Sequence, residues 1–312
     1  MIRHSLHAWT ALLIAFCHPG RVSSAVMPPP FVEIYERGGL WFDSAVLFKP
    51  LETGASNSLA FTLAPLLVQQ VALGKDGPGE APGVGRAHVS QAGVLSGFGS
   101  LSLSNQVLVL DREKPTIYYE TDTVELKGRT HARFCYAWCY RIVKGGRKAG
   151  GVPLQGVRIT LDSSGSPVIW EMLTDDSGLD VIFVARSLEE AVRAQFGPAL
   201  PGRRHSIERS VPEARTVVVA RVIDDGPVAM GPIVYLNRER HSATTLICRC
   251  MPSQAKALAG TRVYDLVPMP LGTPESLLMK ARMMSGSHPS FWPGSRSGHA
   301  RLEKVLRLPD TF

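Results

Sequence analysis

The alternation of apolar and polar positions predicts a long β-hairpin in the middle of the chain. Residues 116–126 and 130–143 are rich in β-branched and aromatic side chains, and Lys127-Gly128-Arg129 supplies the turn between them. Because side chains alternate along a strand, the second strand has an aromatic face and a cysteine face. The aromatic face carries Phe134, Tyr136, Trp138 and Tyr140, and the other carries Cys135, Ala137 and Cys139.

Two units of three short strands and a helix follow the hairpin. The strands of the first unit are predicted at residues 157–161, 168–173 and 180–185. An amphipathic helix follows at residues 187–196, with Ser187 as its N-cap and Glu190 completing a capping box.

The second unit repeats this order with different residues. Its strands are predicted at residues 216–223, 231–236 and 244–251, and its helix at residues 253–260 ends at Gly260. The connections DSSG, DDSG and DDGP are tight, and parallel strands need crossovers of about a dozen residues or more. The pattern therefore predicts an α+β fold: a mostly antiparallel meander sheet with two or three short helices. A βββα duplication is left open, since residue identity between the units is low.

The chain divides into four predicted parts. A leader at residues 1–25 precedes an N-terminal segment, 26–85, which contains a helix-length apolar stretch at 59–73 that Pro65 must start or kink. This segment ends in a linker rich in Gly and Pro. The main α+β domain covers residues 86–267, and a basic, disordered tail covers 268–312, with a short helix near its end as an alternative.

The leader has the layout of a secretory signal peptide. A charged start with Arg3 is followed by an apolar stretch and by small residues before a cleavage site after Ala25. The stretch is too short to cross a bilayer, which needs about 20 residues, and no later segment is predicted to cross one. We expect a secreted or periplasmic protein. Lipid anchoring at Cys17 is the alternative, because the residues before it are similar to a lipobox.

The net charge of the chain indicates which kinds of partner it can bind. The formal charge is +7, and loss of Arg3 and Arg21 with the leader leaves +5. A positive surface suits an anionic cell-envelope surface or acidic polysaccharide, although it also serves solubility alone. Nucleic acid is not predicted as a partner, since the chain lacks a recognisable binding motif.

Four cysteines remain after the leader. On an extended strand Cys135 and Cys139 lie roughly 13 Å apart, and Cys248 and Cys250 about 7 Å apart, so neither pair favours an internal bridge. We expect a disulfide that joins one cysteine of the hairpin to one of the later strand. Separate buried thiols remain an alternative. No metal site is predicted, because the spacings C-x₃-C and C-x-C do not match tetrahedral knuckles.

Candidate catalytic residues are His205, His241 and Asp224, which converge if the second unit folds back on itself, with Ser206 or Cys248 as nucleophile. The turn sequence around Asp224 explains that residue without catalysis. The aromatic side chains Tyr136, Trp138 and Tyr140 are candidates for stacking sugars, although such rows usually pack inward.

The sequence predicts an exported cell-envelope protein that acts as a non-enzymatic binding or structural module. The alternatives are a periplasmic hydrolase with a His/Asp site and a cysteine-based metal or redox protein. No cofactor is predicted, because no motif for one occurs.

Overall fold

The computed structural model describes residues 42–52, 58–71, 97–105, 107–140, 154–173, 180–211, 217–238, 243–250, 255, 258–268 and 302–312. The helices are α1 (Leu59–Thr62) and α2 (Arg186–Phe196). The strands are β1 (Ala45–Pro50), β2 (Leu66–Gln70), β3 (Phe98–Ser104), β4 (Val107–Asp111), β5 (Thr116–Leu126), β6 (Arg129–Tyr140), β7 (Leu154–Leu161), β8 (Pro167–Leu173), β9 (Asp180–Ala185), β10 (Val217–Ile223), β11 (Pro232–Leu236), β12 (Ala243–Cys248) and β13 (Leu258–Pro268).

The predicted antiparallel α+β meander is wrong. The protein is mostly β, and its strands form one mixed sheet in the order β10-β9-β8-β7-β6-β5-β13-β1-β2-β11-β12, with β3 and β4 attached at β6. The pairs β1–β13, β5–β13, β2–β11 and β9–β10 are parallel. These pairs join strands from distant parts of the chain, which a reading of the tight turns alone does not predict.

The long hairpin is confirmed. β5 and β6 pair antiparallel from Tyr118–Ala137 to Leu126–Arg129. Lys127 and Gly128, with φ of 54° and 72°, form the two-residue turn, because such turns take positive φ at both central residues. The aromatic face of β6 is buried in the main core. Its cysteine face is covered by the β3–β4 hairpin, whose Leu101 and Leu108 belong to the same buried cluster as the two cysteines.

α2 connects two parallel strands, β9 and β10, and so makes a crossover. The helix was predicted at residues 187–196, but the predicted capping box of Ser187 and Glu190 is wrong. Ala185 is the N-cap and offers no side-chain hydrogen bond. Asp225, which follows β10, instead accepts from Ser187, with 3.0 Å between its Oδ2 and the backbone nitrogen and 2.5 Å between Oδ1 and Oγ. A carboxylate from another element thus stabilises the positive end of the helix.

The second βββα unit is not formed. β10 and β11 are not neighbours, because β10 pairs with β9 while β11 lies between β2 and β12. The helix predicted at residues 253–260 is also wrong at its end, since Leu258–Pro268 is strand β13. Residues 251–254 and 256–257 lie outside the described residues.

Pro65 separates a helix from a strand rather than kinking a long helix. Ser58 caps α1 through its side chain, and α1 ends at Thr62. Residues 66–70 are β2, which pairs with β1 and β11 at the centre of this part of the sheet. The predicted N-terminal segment therefore contributes two strands to the same sheet as residues 98–268. The predicted linker at residues 74–85 lies outside the described residues.

The end of the predicted tail belongs to the core. Residues 302–305 are helical, and Leu302, Val305, Leu306 and Phe312 are buried. Leu306 pairs with Glu208 in an isolated β-bridge. The pattern of buried leucine and valine at the end of the chain, not its basic character, decides its structure. Residues 269–301 of the predicted tail lie outside the described residues.

Candidate ligand pocket

A pocket of about 300 Å³ lies where the β7–β8 turn, the start of α2 and the segment between β10 and β11 meet. This volume is at the lower end of small-molecule sites. Its lining is formed by Asp162, Ser166, Pro167, Trp170, Ser187, Asp224, Asp225, Gly226, Val228, Met230, Gly231, Pro232 and Cys248.

Asp162 brings the first carboxylate to the pocket. Its Oδ1 accepts from the backbone nitrogens of Ser164 and Ser166, both at 2.9 Å, and from the Ser164 hydroxyl at 2.7 Å. This is the local bonding that makes Asp a turn residue. Within the described ranges Oδ2 accepts no hydrogen bond, so the turn fixes the carboxylate while one oxygen stays available.

Asp224 and Asp225 bring two further carboxylates, and α2 holds both. The Arg186 Nε donates to the Asp224 Oδ1 at 2.8 Å, and this bond raises the pKa of Arg186. Both carboxylate oxygens of Asp225 accept hydrogen bonds from Ser187. Among the described residues no donor bonds the Asp224 Oδ2. The helix start therefore orients two carboxylates side by side at the pocket.

One wall of the pocket is apolar. Trp170 is 5% exposed, and Val228 and Met230 supply further apolar surface. The buried indole Nε1 of Trp170 has no hydrogen-bond partner among the described residues. A buried N–H without a partner costs free energy.

Gly231 lets the pocket floor approach the loop after α1. Its backbone nitrogen donates to the Thr62 carbonyl oxygen at 3.1 Å. A Cβ at this position would lie 2.3 Å from the Leu63 carbonyl oxygen and 2.5 Å from that of Ala64. Only glycine fits, because backbone atoms cannot move aside as a flexible side chain can.

A disulfide forms part of the wall, but not the predicted one. Cys248 bonds Cys250, with 5.2 Å between their Cα atoms, while Cys135 and Cys139 are buried and form no disulfide among the described residues. The predicted bridge between hairpin and later strand is therefore replaced by a local one. The reason is that β12 ends at Cys248, and residues 249–250 turn instead of continuing the strand, which brings the two cysteines within bonding range.

Of the candidate catalytic residues that the structure describes, one lines this pocket and one does not. Asp224 lines it, and His205 does not. The backbone nitrogen of His205 donates to the Glu208 Oε2 at 2.9 Å, and the buried Ser206 donates its backbone nitrogen to the Glu189 Oε1 at 2.6 Å. His241 lies outside the described residues. No described residue of the pocket lining is a histidine.

The candidate stacking residues lie in the core. Tyr136, Trp138 and Tyr140 are each at most 1% exposed. The Tyr136 hydroxyl donates to the Ala60 carbonyl oxygen at 2.7 Å, which ties β6 to α1. Burial raises the pKa of this hydroxyl well above its usual value. In this position the row has no surface to offer a sugar ring.

Asp162 and Trp170 were not predicted as pocket residues. Asp162 stands in the DSSG sequence, which indicates a turn and nothing more. A second signal was present in the helix start after β9, since a helix N-terminus attracts carboxylates. The sequence alone does not say which turn lies beside which helix.

In the described part of the chain, no three His, Cys, Asp or Glu side chains are grouped to hold a metal ion. The helices within the same residues also lack the length and hydropathy that a membrane crossing requires. The chain matches no protein-family model, no curated protein and no solved structure.

Proposed function

We propose that this chain is an exported, non-enzymatic binding protein whose pocket takes a small organic cation. The observation that carries the proposal is the negative charge of the pocket lining. Its lining has three carboxylates, and no described lining residue is Lys, Arg or His, in a chain of formal charge +7. Arg186, beside the pocket, forms an ion pair with Asp224 and offsets part of this charge.

The apolar wall specifies the rest of the ligand. The indole of Trp170 attracts a cation over its face, and Val228 and Met230 favour an aliphatic chain. A guanidinium or ammonium on a short hydrocarbon chain satisfies both the carboxylates and this wall. The net positive charge of the chain suggested an anionic partner, and that partner would have to bind elsewhere on the surface.

Export is supported by the leader pattern and agrees with the Cys248–Cys250 disulfide, since disulfides persist in oxidising compartments. The hydrolase alternative has no comparable support in the described residues, because His205 is not part of the pocket lining.

The test compares butylguanidinium with butylurea, which has nearly the same shape and no charge. We expect calorimetric titration of the full chain to show binding of the cation only, and the indole N–H resonance of Trp170, assigned with Trp170→Phe, to shift. Asp162→Asn keeps the turn acceptor and removes the charge, so affinity falls about fivefold, as expected for about 1 kcal/mol of screened attraction.

Glu113→Gln is the matched control, because it removes one negative charge from an exposed turn away from the pocket. It should leave the affinity unchanged. Equal binding of butylurea and butylguanidinium, or full affinity of a variant that combines Asp162→Asn with Asp224→Asn, would refute the cation pocket.

A further inference from the structure

The two bridged cysteines differ in access. Cys250 is exposed, and its Sγ lies 3.9 Å from the Asp225 carbonyl oxygen. Cys248 is 6% exposed at the end of β12. An incoming thiolate must approach along the S–S axis and needs access to one sulfur, so Cys250 is the sulfur that a solvent thiol reaches.

The local backbone favours Cys248 as the leaving sulfur. The backbone nitrogen of Cys250 donates to the Cys248 Sγ at 3.2 Å. A hydrogen bond to sulfur favours the thiolate over the thiol, and a more stable leaving thiolate makes exchange faster. Between the two cysteines, the Arg249 guanidinium donates to the Ala64 carbonyl oxygen, which anchors this turn independently of the bridge.

The bridge also restrains the chain little. It connects residues two positions apart, and the stabilisation from a disulfide grows with the length of the loop that it closes. The bond can therefore open while the sheet stays folded. A structural disulfide that closes a long loop would not have this property.

We propose that Cys248–Cys250 is a thiol–disulfide exchange site whose partner is a dithiol. A thiolate of the dithiol attacks the Cys250 Sγ, the S–S bond breaks, and Cys248 leaves as a thiolate that takes up a proton. The second thiol of the partner then loses its proton and attacks the mixed disulfide, releasing Cys250 as a thiolate. The partner is oxidised by two electrons and the bridge is reduced by two. The proposal rests on the geometry of the bridge and not on the identity of the ligand in the pocket that Cys248 lines.

Cys135 and Cys139 serve as internal controls. Cys135 is 1% exposed, and its burial raises the pKa of the thiol far above the usual value, so the reactive thiolate is disfavoured. Cys139 is fully buried under the β3–β4 hairpin. Neither should exchange while the protein is folded.

The experiment uses glutathione as the probe. Native full-length chain is treated with reduced glutathione, quenched with acid and mapped by mass spectrometry, and we expect the trapped adduct on Cys250. Dithiothreitol should reduce the bridge completely with the near-ultraviolet circular dichroism of the native fold retained. An adduct on Cys248, or a bridge that is reduced only after denaturant unfolds the chain, would overturn the proposal.

Single variants separate the two sulfurs. Cys248→Ser leaves Cys250 as the accessible thiol, and Cys250→Ser leaves Cys248. We expect Cys248→Ser to react with oxidised glutathione at least about tenfold faster than Cys250→Ser, as accessibility dictates. Cys135→Ser should leave the reduction of the bridge unchanged. Equal rates for the two single variants would contradict the assigned order of attack.

Discussion

Removing the Cys248–Cys250 bridge should destabilise the protein only slightly. In the chain-entropy model, a ring of three residues contributes about 1.6 kcal/mol, whereas a bridge across the roughly 110 residues between the hairpin and β12 would contribute close to 5 kcal/mol. We therefore expect the variant Cys248→Ser/Cys250→Ser to lose about 1.6 kcal/mol. For a chain of this size that corresponds to a fall in melting temperature of about 3–6 °C.

Urea denaturation with and without a phosphine reductant measures the effect. Reductant should lower the unfolding free energy of the wild type by about the same amount as the double substitution. It should have no effect on the double variant, because Cys135 and Cys139 are buried thiols that form no disulfide among the described residues. A loss of 4 kcal/mol or more would refute the local pairing. So would a response of the double variant to reductant, since that requires a bridge involving the hairpin.

Two further outcomes follow from the packing and the charges. Gly231→Ala should lower both the melting temperature and the affinity for butylguanidinium, because the added Cβ would clash with two carbonyl oxygens. Gly260→Ala should change neither, because a Cβ at that position meets nothing within 4 Å. Lys127, 2.9 Å from the Asp310 Oδ1, lowers the pKa of that carboxyl. The stability that this pair contributes is present above the ordinary carboxyl pKa and is lost as the pH falls through the lower pKa of the folded state. Asp310→Asn should therefore remove that part of the acid sensitivity in pH-dependent denaturation. An unchanged acid profile would contradict this.

Local features were predictable, because their determinants are adjacent in sequence. The β5–β6 hairpin has its strands and its turn within 25 residues, and the alternation alone places its aromatic row in the core. The helix α2 was predictable from its amphipathic period. Its position between two strands, with more than 30 residues from Ala185 to Val217, was also enough to suggest a parallel crossover.

Long-range pairing was not predictable in the same way. Nothing in β1 marks β13 as its partner, because both are short apolar strands and many registers satisfy their patterns. The predicted disulfide was wrong for a more local reason. Extending β12 past Cys248 put the two sulfurs out of range, and the turn at residues 249–250 carries no glycine or proline to signal the end of the strand.

The position of β13 constrains the order in which this protein can fold. Residues 258–264 of β13 pair with β1, and residues 265–268 pair with β5, so among the described strands it alone joins β1 to β5. β3 to β10 can assemble from consecutive segments, and β1 can pair with β2. Among the described strands, however, the β1–β2 pair reaches β5 only through β13. Non-local pairing of this kind folds slowly and leaves strand edges open during synthesis. The slow step should therefore be the arrival of β13, and variants that weaken its pairing should retard refolding of the β1–β2 region more than that of the hairpin.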